Sequence, residues 1–95
     1  MAEKEYLRDD PQLEELSKKE SGEERHLILH NDDVHTFDYV IESLVKVCEL
    51  EPVQAEQCTY LVHYKGKCDV KKGDFSFLRP YKLGLIERGL EATID

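Results

Sequence analysis

Residues 27–37, Leu27-Ile28-Leu29-His30-Asn31-Asp32-Asp33-Val34-His35-Thr36-Phe37, constrain the fold more than any other stretch. Across them the apolar pattern changes period from two to about 3.6. On the N-terminal side, Arg25 to His30 reads as a strand, with Leu27 and Leu29 on one side and His26, Ile28 and His30 on the other. One side is apolar and one is mixed, as in a sheet covered on a single face. On the C-terminal side, Phe37, Val40, Ile41, Leu44, Val45 and Cys48 form a helical stripe, which predicts a helix from about Thr36 to Cys48. Between the two, the short side chains of Asn31, Asp32 and Asp33 bond their own backbone and end the strand. Thr36 is the best helix cap, with His35 and Asp33 as alternatives, and Asp38 suits the positive end of the helix.

The rest of the chain follows from this start. After Glu49-Leu50-Glu51, Pro52 is placed to open a second helix, where its missing N–H is not needed. That helix is expected to reach about Tyr64, with Ala55, Cys58, Leu61 and Val62 inward and Thr59 and His63 four apart beside them. Gly66 fits a helix stop. Residues 67–70 make a short strand candidate and 71–74 a loop. Phe75, Phe77, Leu78, Tyr81, Leu85 and Ile86 suggest a third helix, but Pro80 places its regular part from about residue 79 and Gly84 weakens it. Leu90 to Asp95 alternates as a closing strand. The expected class is α+β, ordered β-α-α-β-α-β, with a small three-stranded, mostly antiparallel sheet covered on one face by helices.

The chain has 95 residues and a formal net charge of −8. Residues 1–24 carry nine acidic and four basic side chains and few apolar ones. They are expected to form a disordered acidic tail, leaving 25–95 as the core domain. The charge argues against nucleic acid and anionic membrane as partners, since phosphates call for a concentrated positive surface. No apolar run is long enough to span a bilayer and no export signal opens the chain. Cys48, Cys58 and Cys68 are odd in number and ten apart. Cys48 and Cys58 fall on apolar helix faces. This predicts no disulfides and no structural zinc, in a reducing, cytoplasmic setting.

Asn31, Asp32 and His63 carry the most suggestive chemistry. An amide oxygen, a carboxylate and a neutral imidazole nitrogen all accept hydrogen bonds, and three acceptors match the three donors of an ammonium group. Phe37, Val40, Thr59 and Val62 would line a small cavity beside them, or simply be core. Asn31 and Asp32 would equally serve as turn and cap residues. Two rival chemistries use the same atoms. His30, Asp32, His35 and His63 could ligate a metal, although no tight ligand motif repeats. His63 oriented by Asp32 could act as a base. No nucleophile context or phosphate loop accompanies them, so neither an enzyme nor a cofactor is expected.

Leu29-His-Asn31-Asp32-Asp33-Val-His-Thr-Phe-Asp-Tyr-Val40-Ile41, Gln57-Cys-Thr-Tyr-Leu-Val62-His63-Tyr64-Lys-Gly66-Lys67 and the closing Leu90 to Asp95 together resemble the ATP-dependent Clp protease adaptor family, ClpS, over about residues 25–95. The resemblance implies a bacterial, non-catalytic adaptor. It would bind substrates with a bulky apolar first residue and deliver them to a Clp/Hsp100 unfoldase of the ClpA or ClpC type. It implies that Asn31, Asp32 and His63 hold the substrate's α-amino group and first peptide unit. It places Leu29, His35, Phe37, Val40, Thr59 and Val62 around the side-chain pocket and gives the tail to the unfoldase. His35 stands where many members have threonine, Thr36 where many have proline, and Phe37 and Thr59 where methionine is frequent. The rival reading is an interaction module that ignores free N-termini.

Overall fold

In a computed structural model, residues 23–95 are described; the tail expected over 1–24 lies almost wholly outside them. Among the described residues the order is β1 (Arg25–His30), α1 (Phe37–Cys48), α2 (Pro52–Lys65), β2 (Lys67–Gly73), α3 (Phe75–Glu87) and β3 (Ala92–Ile94). The strands form an antiparallel sheet in the order β2-β1-β3. This is the α+β, β-α-α-β-α-β arrangement expected from the sequence.

β1 is central because both its edges are paired. Leu27 and Leu29 are fully buried and, with Ala92, form the sheet's contribution to the core. Val40, Leu44 and Cys48 of α1 and Leu78 and Leu85 of α3 pack against them. Burial pushes the Cys48 thiol up to about 11, so it packs as an apolar group. On the other face, His26 meets Asp69 at 2.6 Å and His30 Nε2 meets Thr93 Oγ1 at 2.7 Å, cross-strand polar contacts on a partly open surface.

Thr36 caps α1, its hydroxyl accepting from the Tyr39 N–H at 3.1 Å. α2 starts at Pro52, with no side-chain cap, and stops at Gly66 (φ +91°). Its buried stripe is narrow: Ala55, Cys58, Thr59 and Val62. Leu61, expected inward, is 44% exposed, because Thr59 and Val62 take the inner positions instead.

Three further expectations need correction. β2 runs to Gly73 rather than stopping at Val70, with its register against β1 shifting between Leu27 and Ile28. Lys71 and Lys72 conceal a strand that is an edge of the sheet among the described residues, where charge is common. α3 begins at Phe75, not near 79, and holds Pro80 within it. Asp74 caps it, accepting from the Phe77 N–H at 2.9 Å, and burial of Phe75, Leu78 and Leu85 offsets the bond that Pro80 cannot donate. Finally, Cys58 and Cys68 are joined as a disulfide with Cα atoms 5.7 Å apart. The reversal at Gly66 folds β2 back along α2 and brings the pair together, which a spacing of ten alone does not reveal. The cysteines therefore give no support to a reducing compartment.

Gly84 has a packing reason. A Cβ there would lie 2.7 Å from Val47 Cγ1, so α3 approaches α1 over a bare backbone. Gly84→Ala is expected to destabilise the domain by about 1 kcal/mol or more, overpacking outweighing the helix-propensity gain. In a Val47→Ala background the same change should become neutral or stabilising. Urea melts of the four proteins measure both effects.

Candidate functional site

The site forms where β1 ends, α1 begins and α2 finishes. The backbone N–H of Asn31 donates to the Gly66 carbonyl at 2.9 Å, which holds the turn after β1 against the end of α2. One cavity of about 30 Å³ opens there, lined by Leu29, His30, Asn31, Asp32, His35, Phe37, Val40, Thr59, Val62, His63 and Leu90. Every residue singled out from the sequence as an amine ligand or pocket wall thus borders the same hollow. As it stands the hollow has room for about two water molecules.

Asn31 and His63 are exposed at the mouth, while Leu29, Val40, Thr59 and Val62 are buried beneath it. Asn31 turns its amide nitrogen to Asp33 Oδ1 at 3.3 Å, which leaves its amide oxygen for an outside donor. The Thr59 hydroxyl donates to the Ala55 carbonyl at 2.7 Å, so it offers no free proton to a guest. The His63 ring packs edge-on to Phe37 (5.4 Å between centroids) and to Tyr64 (4.8 Å).

Asp32 is the most constrained member. Its Oδ1 accepts from the backbone N–H of Val34 at 2.7 Å and of His35 at 3.2 Å, and its Oδ2 meets His35 Nδ1. Burial alone would raise its pKa. The backbone donors of Val34 and His35 and the His35 ring outweigh it and hold the carboxyl below the ordinary value of 3.8. Asp32 therefore does hold the turn, as one alternative had it, while still presenting a charged carboxylate to the cavity.

Tyr60 and Leu90 were not among the site residues expected from the sequence, and His30 was expected only as a possible metal ligand. Tyr60 packs edge-on to Phe37 at 4.9 Å, so the Phe37 ring sits between Tyr60 and His63 at the mouth. The signal was present: Tyr60, His63 and Tyr64 recur at spacings of three and four, a helix face of rings. His35 was placed as a wall of the apolar pocket; its ring also engages Asp32 and stacks on Tyr39 (4.7 Å, 15°). For the metal alternative, no group of three His, Cys, Asp or Glu side chains among the described residues is arranged to hold an ion. Nor, among them, is any helix long and apolar enough to cross a membrane.

The fold and cleft define a small α+β binding domain with acceptors at a mouth and apolar walls below. The model of the family described as "ATP-dependent Clp protease adaptor protein ClpS" matches residues 20–92, and the chain belongs to that family, whose adaptors are non-catalytic. It is 37% identical over 57 residues to the ClpS adapter of Clostridium acetobutylicum, spanning 60% of this chain and 56% of that protein. It is 32% identical over 62 residues, 65% of this chain, to the human E3 ubiquitin-protein ligase UBR1, of which the match spans only 4%. The structure of Agrobacterium tumefaciens ClpS2 bound to L-phenylalaninamide is similar with a TM-score of 0.65. That match covers 78% of this chain and 96% of the other at 16% identity, a likeness of fold.

The Asp32 network predicts an acid-sensitive contribution to stability. A carboxyl depressed in the fold stabilises it fully above its unfolded value, near 3.8, and ceases to do so as pH falls below it. Wild type should exceed Asp32→Asn by about 1–2 kcal/mol from pH 7 to 5, and the gap should close below pH 4. Urea melts across that range measure it.

Proposed function

We propose that this chain is an adaptor for N-degron substrates. It binds the free α-amino group and the bulky apolar first residue of a polypeptide and delivers it to a Clp/Hsp100 unfoldase of the ClpA or ClpC type. The observation that carries the proposal is the single cavity bordered both by Asn31, Asp32 and His63 and by Leu29, His35, Phe37, Val40, Thr59 and Val62, in a chain of the ClpS family.

In this reading the ammonium donates to the Asn31 amide oxygen, the Asp32 carboxylate and a neutral His63 nitrogen. The first side chain enters the hollow between α1 and α2. The hollow is smaller than such a side chain, so Phe37 has to turn aside to admit it. The chain makes and breaks no bond; the partner supplies the work of unfolding. Residues 1–24 act as the tethered tail that engages the unfoldase, and 25–95 as the binding core.

Anisotropy titrations with matched peptides test this. Peptides beginning with Phe, Leu or Trp should bind at least about tenfold more tightly than one beginning with Ala, as expected from burial of a large side chain. Acetyl-Phe should bind far more weakly than Phe, since acetylation removes the charge and a donor. Asp32→Ala should cost more than Lys65→Ala, because it strands a desolvated ammonium. Equal affinity for Phe and acetyl-Phe overturns the amine site. Turnover of peptide by the isolated chain would favour the enzyme reading.

A further inference from the structure

Among the described residues Asp32 carries the only carboxylate bordering the cavity, and the structure gives one of its oxygens to an imidazole. His35 Nδ1 meets Asp32 Oδ2, with the histidine side chain 25% and the aspartate side chain 11% exposed. The ring is fixed as well as paired. Tyr39 stacks on it, and Gly89 lies so close that a Cβ there would sit 3.2 Å from its Cε1 and Nε2. Tyr39 is itself held: its hydroxyl donates to the Arg88 carbonyl at 2.7 Å, and the Arg88 guanidinium lies over its ring at 5.0 Å. Arg88 in turn donates to Ser43 Oγ at 2.7 Å and pairs with Glu42 at 3.0 Å.

The charges around His35 are therefore few and placed. Asp32 faces its Nδ1 from the turn, with Asp33 one residue further and bonded to Asn31. Tyr39 of α1 covers it, and Arg88, at the end of α3, is neutralised by Glu42. Across the cavity stand His30 of β1, occupied by Thr93, and His63 of α2. The carboxylate that answers the imidazole from all these elements is Asp32.

Two protonation states of His35 have different consequences for a guest. Neutral, with its proton on Nδ1, the ring donates to Asp32 and leaves the carboxylate its full negative charge. Doubly protonated, it makes the same hydrogen bond but adds a positive charge beside the carboxylate, which an incoming ammonium then meets as a neutral pair. We propose that His35 is the positioning residue of the amine site. It orients Asp32 when neutral and competes with the substrate's ammonium for Asp32 when charged, so the adaptor releases free N-termini on mild acidification. The proposal rests on the amine-binding reading given above and adds the residue that regulates it.

The test uses the full chain and a fluorescent Phe-initiated peptide, with Kd measured at pH 7.5 and 5.5. Wild type should weaken on acidification by about tenfold more than His35→Asn, as expected for one charge acting at close range on a partly exposed site. His35→Asn keeps a donor near the Nδ1 position without a titrating group, so the quantity compared is each protein's ratio of Kd at pH 5.5 to its own Kd at pH 7.5. His35→Ala removes the donor and should weaken binding at pH 7.5, with rescue by asparagine. His35→Gln serves if the asparagine variant does not fold. In wild type, histidine NMR titrations should show peptide binding lowering the pH at which His35 gains its proton, since linkage is reciprocal. The same pH slope in wild type and His35→Asn, or a His35 titration indifferent to peptide, overturns the proposal while leaving amine binding intact. No binding of the peptide by wild type at pH 7.5 overturns both.

Discussion

The hydrogen bond from the Asn31 N–H to the Gly66 carbonyl is the constraint on which the cleft depends. It links two reversals that are 35 positions apart in sequence: the turn that leaves β1 and the stop that ends α2. Gly66 can make its half of the link because its φ is +91°, a conformation that costs other residues about 1 kcal/mol or more. With no heavy atom within 4 Å of where its Cβ would be, conformation alone, not crowding, calls for glycine there. The pairing of His30 with Lys67 continues the link directly into the sheet. A second brace, the Cys58–Cys68 disulfide, ties the middle of α2 to the start of β2. Together they close a short triangle of helix, turn and strand, and His63 lies within it.

That bracing matters because α2 has little else to hold it. Its buried stripe is made of small side chains, so it gains less from burial than α1 does with Val40 and Leu44. A helix anchored mainly by a narrow stripe would be free to roll, and rolling would carry His63 away from Asn31 and Asp32. The turn residues are fixed by different means. Asp32 takes two backbone donors and a ring nitrogen, and Thr36 starts α1 three residues beyond the Asn-Asp-Asp knot. The polar groups at the mouth are thus positioned from rigid elements on both sides, which is what a site that reads a small charged group needs.

Where the sequence was legible, periodicity made it so. The alternation of Leu27 and Leu29, and the stripe from Phe37 to Cys48, follow from burial, which local spacing reports directly. Pro52, Gly66 and Thr36 marked helix ends because their backbone chemistry is local. The misreadings share one cause: the deciding partner was distant in sequence. Lys71 and Lys72 read as loop because strand identity there comes from pairing with β1. Pro80 read as a helix boundary because its lost bond is offset by Leu78 and Leu85 meeting the core. Cys58 and Cys68 looked unpaired because only the return of β2 along α2 brings them together. Asn31, Asp32 and His63 were visible as acceptors, but that Asn31 and His63 border one hollow depends on the Gly66 link, which no spacing rule contains. The likeness to an adaptor family supplied what spacing did not.

The aromatic residues at the mouth bear on how an amine-binding cleft of this kind would select its guests. Phe37 closes the hollow by edge contacts to Tyr60 and His63, each worth about 0.5–1.5 kcal/mol. Turning the ring aside therefore costs roughly 1–3 kcal/mol before any guest gains from burial. A methyl group returns only about 0.8 kcal/mol, whereas a leucine or phenylalanine side chain returns about 1.5–3. The small side chain fails to offset the opening and the large one roughly balances it, leaving the ammonium contacts as the surplus. Selectivity would then reside in the closure as much as in the shape of the hollow. The same rings stand beside His63, and a bound side chain beneath them would make the surroundings of the ammonium drier, where charge-assisted bonds gain strength. In such a cleft a rigid phenyl at position 37 would serve both ends at once, setting a threshold for the side chain and walling the place that receives the charge.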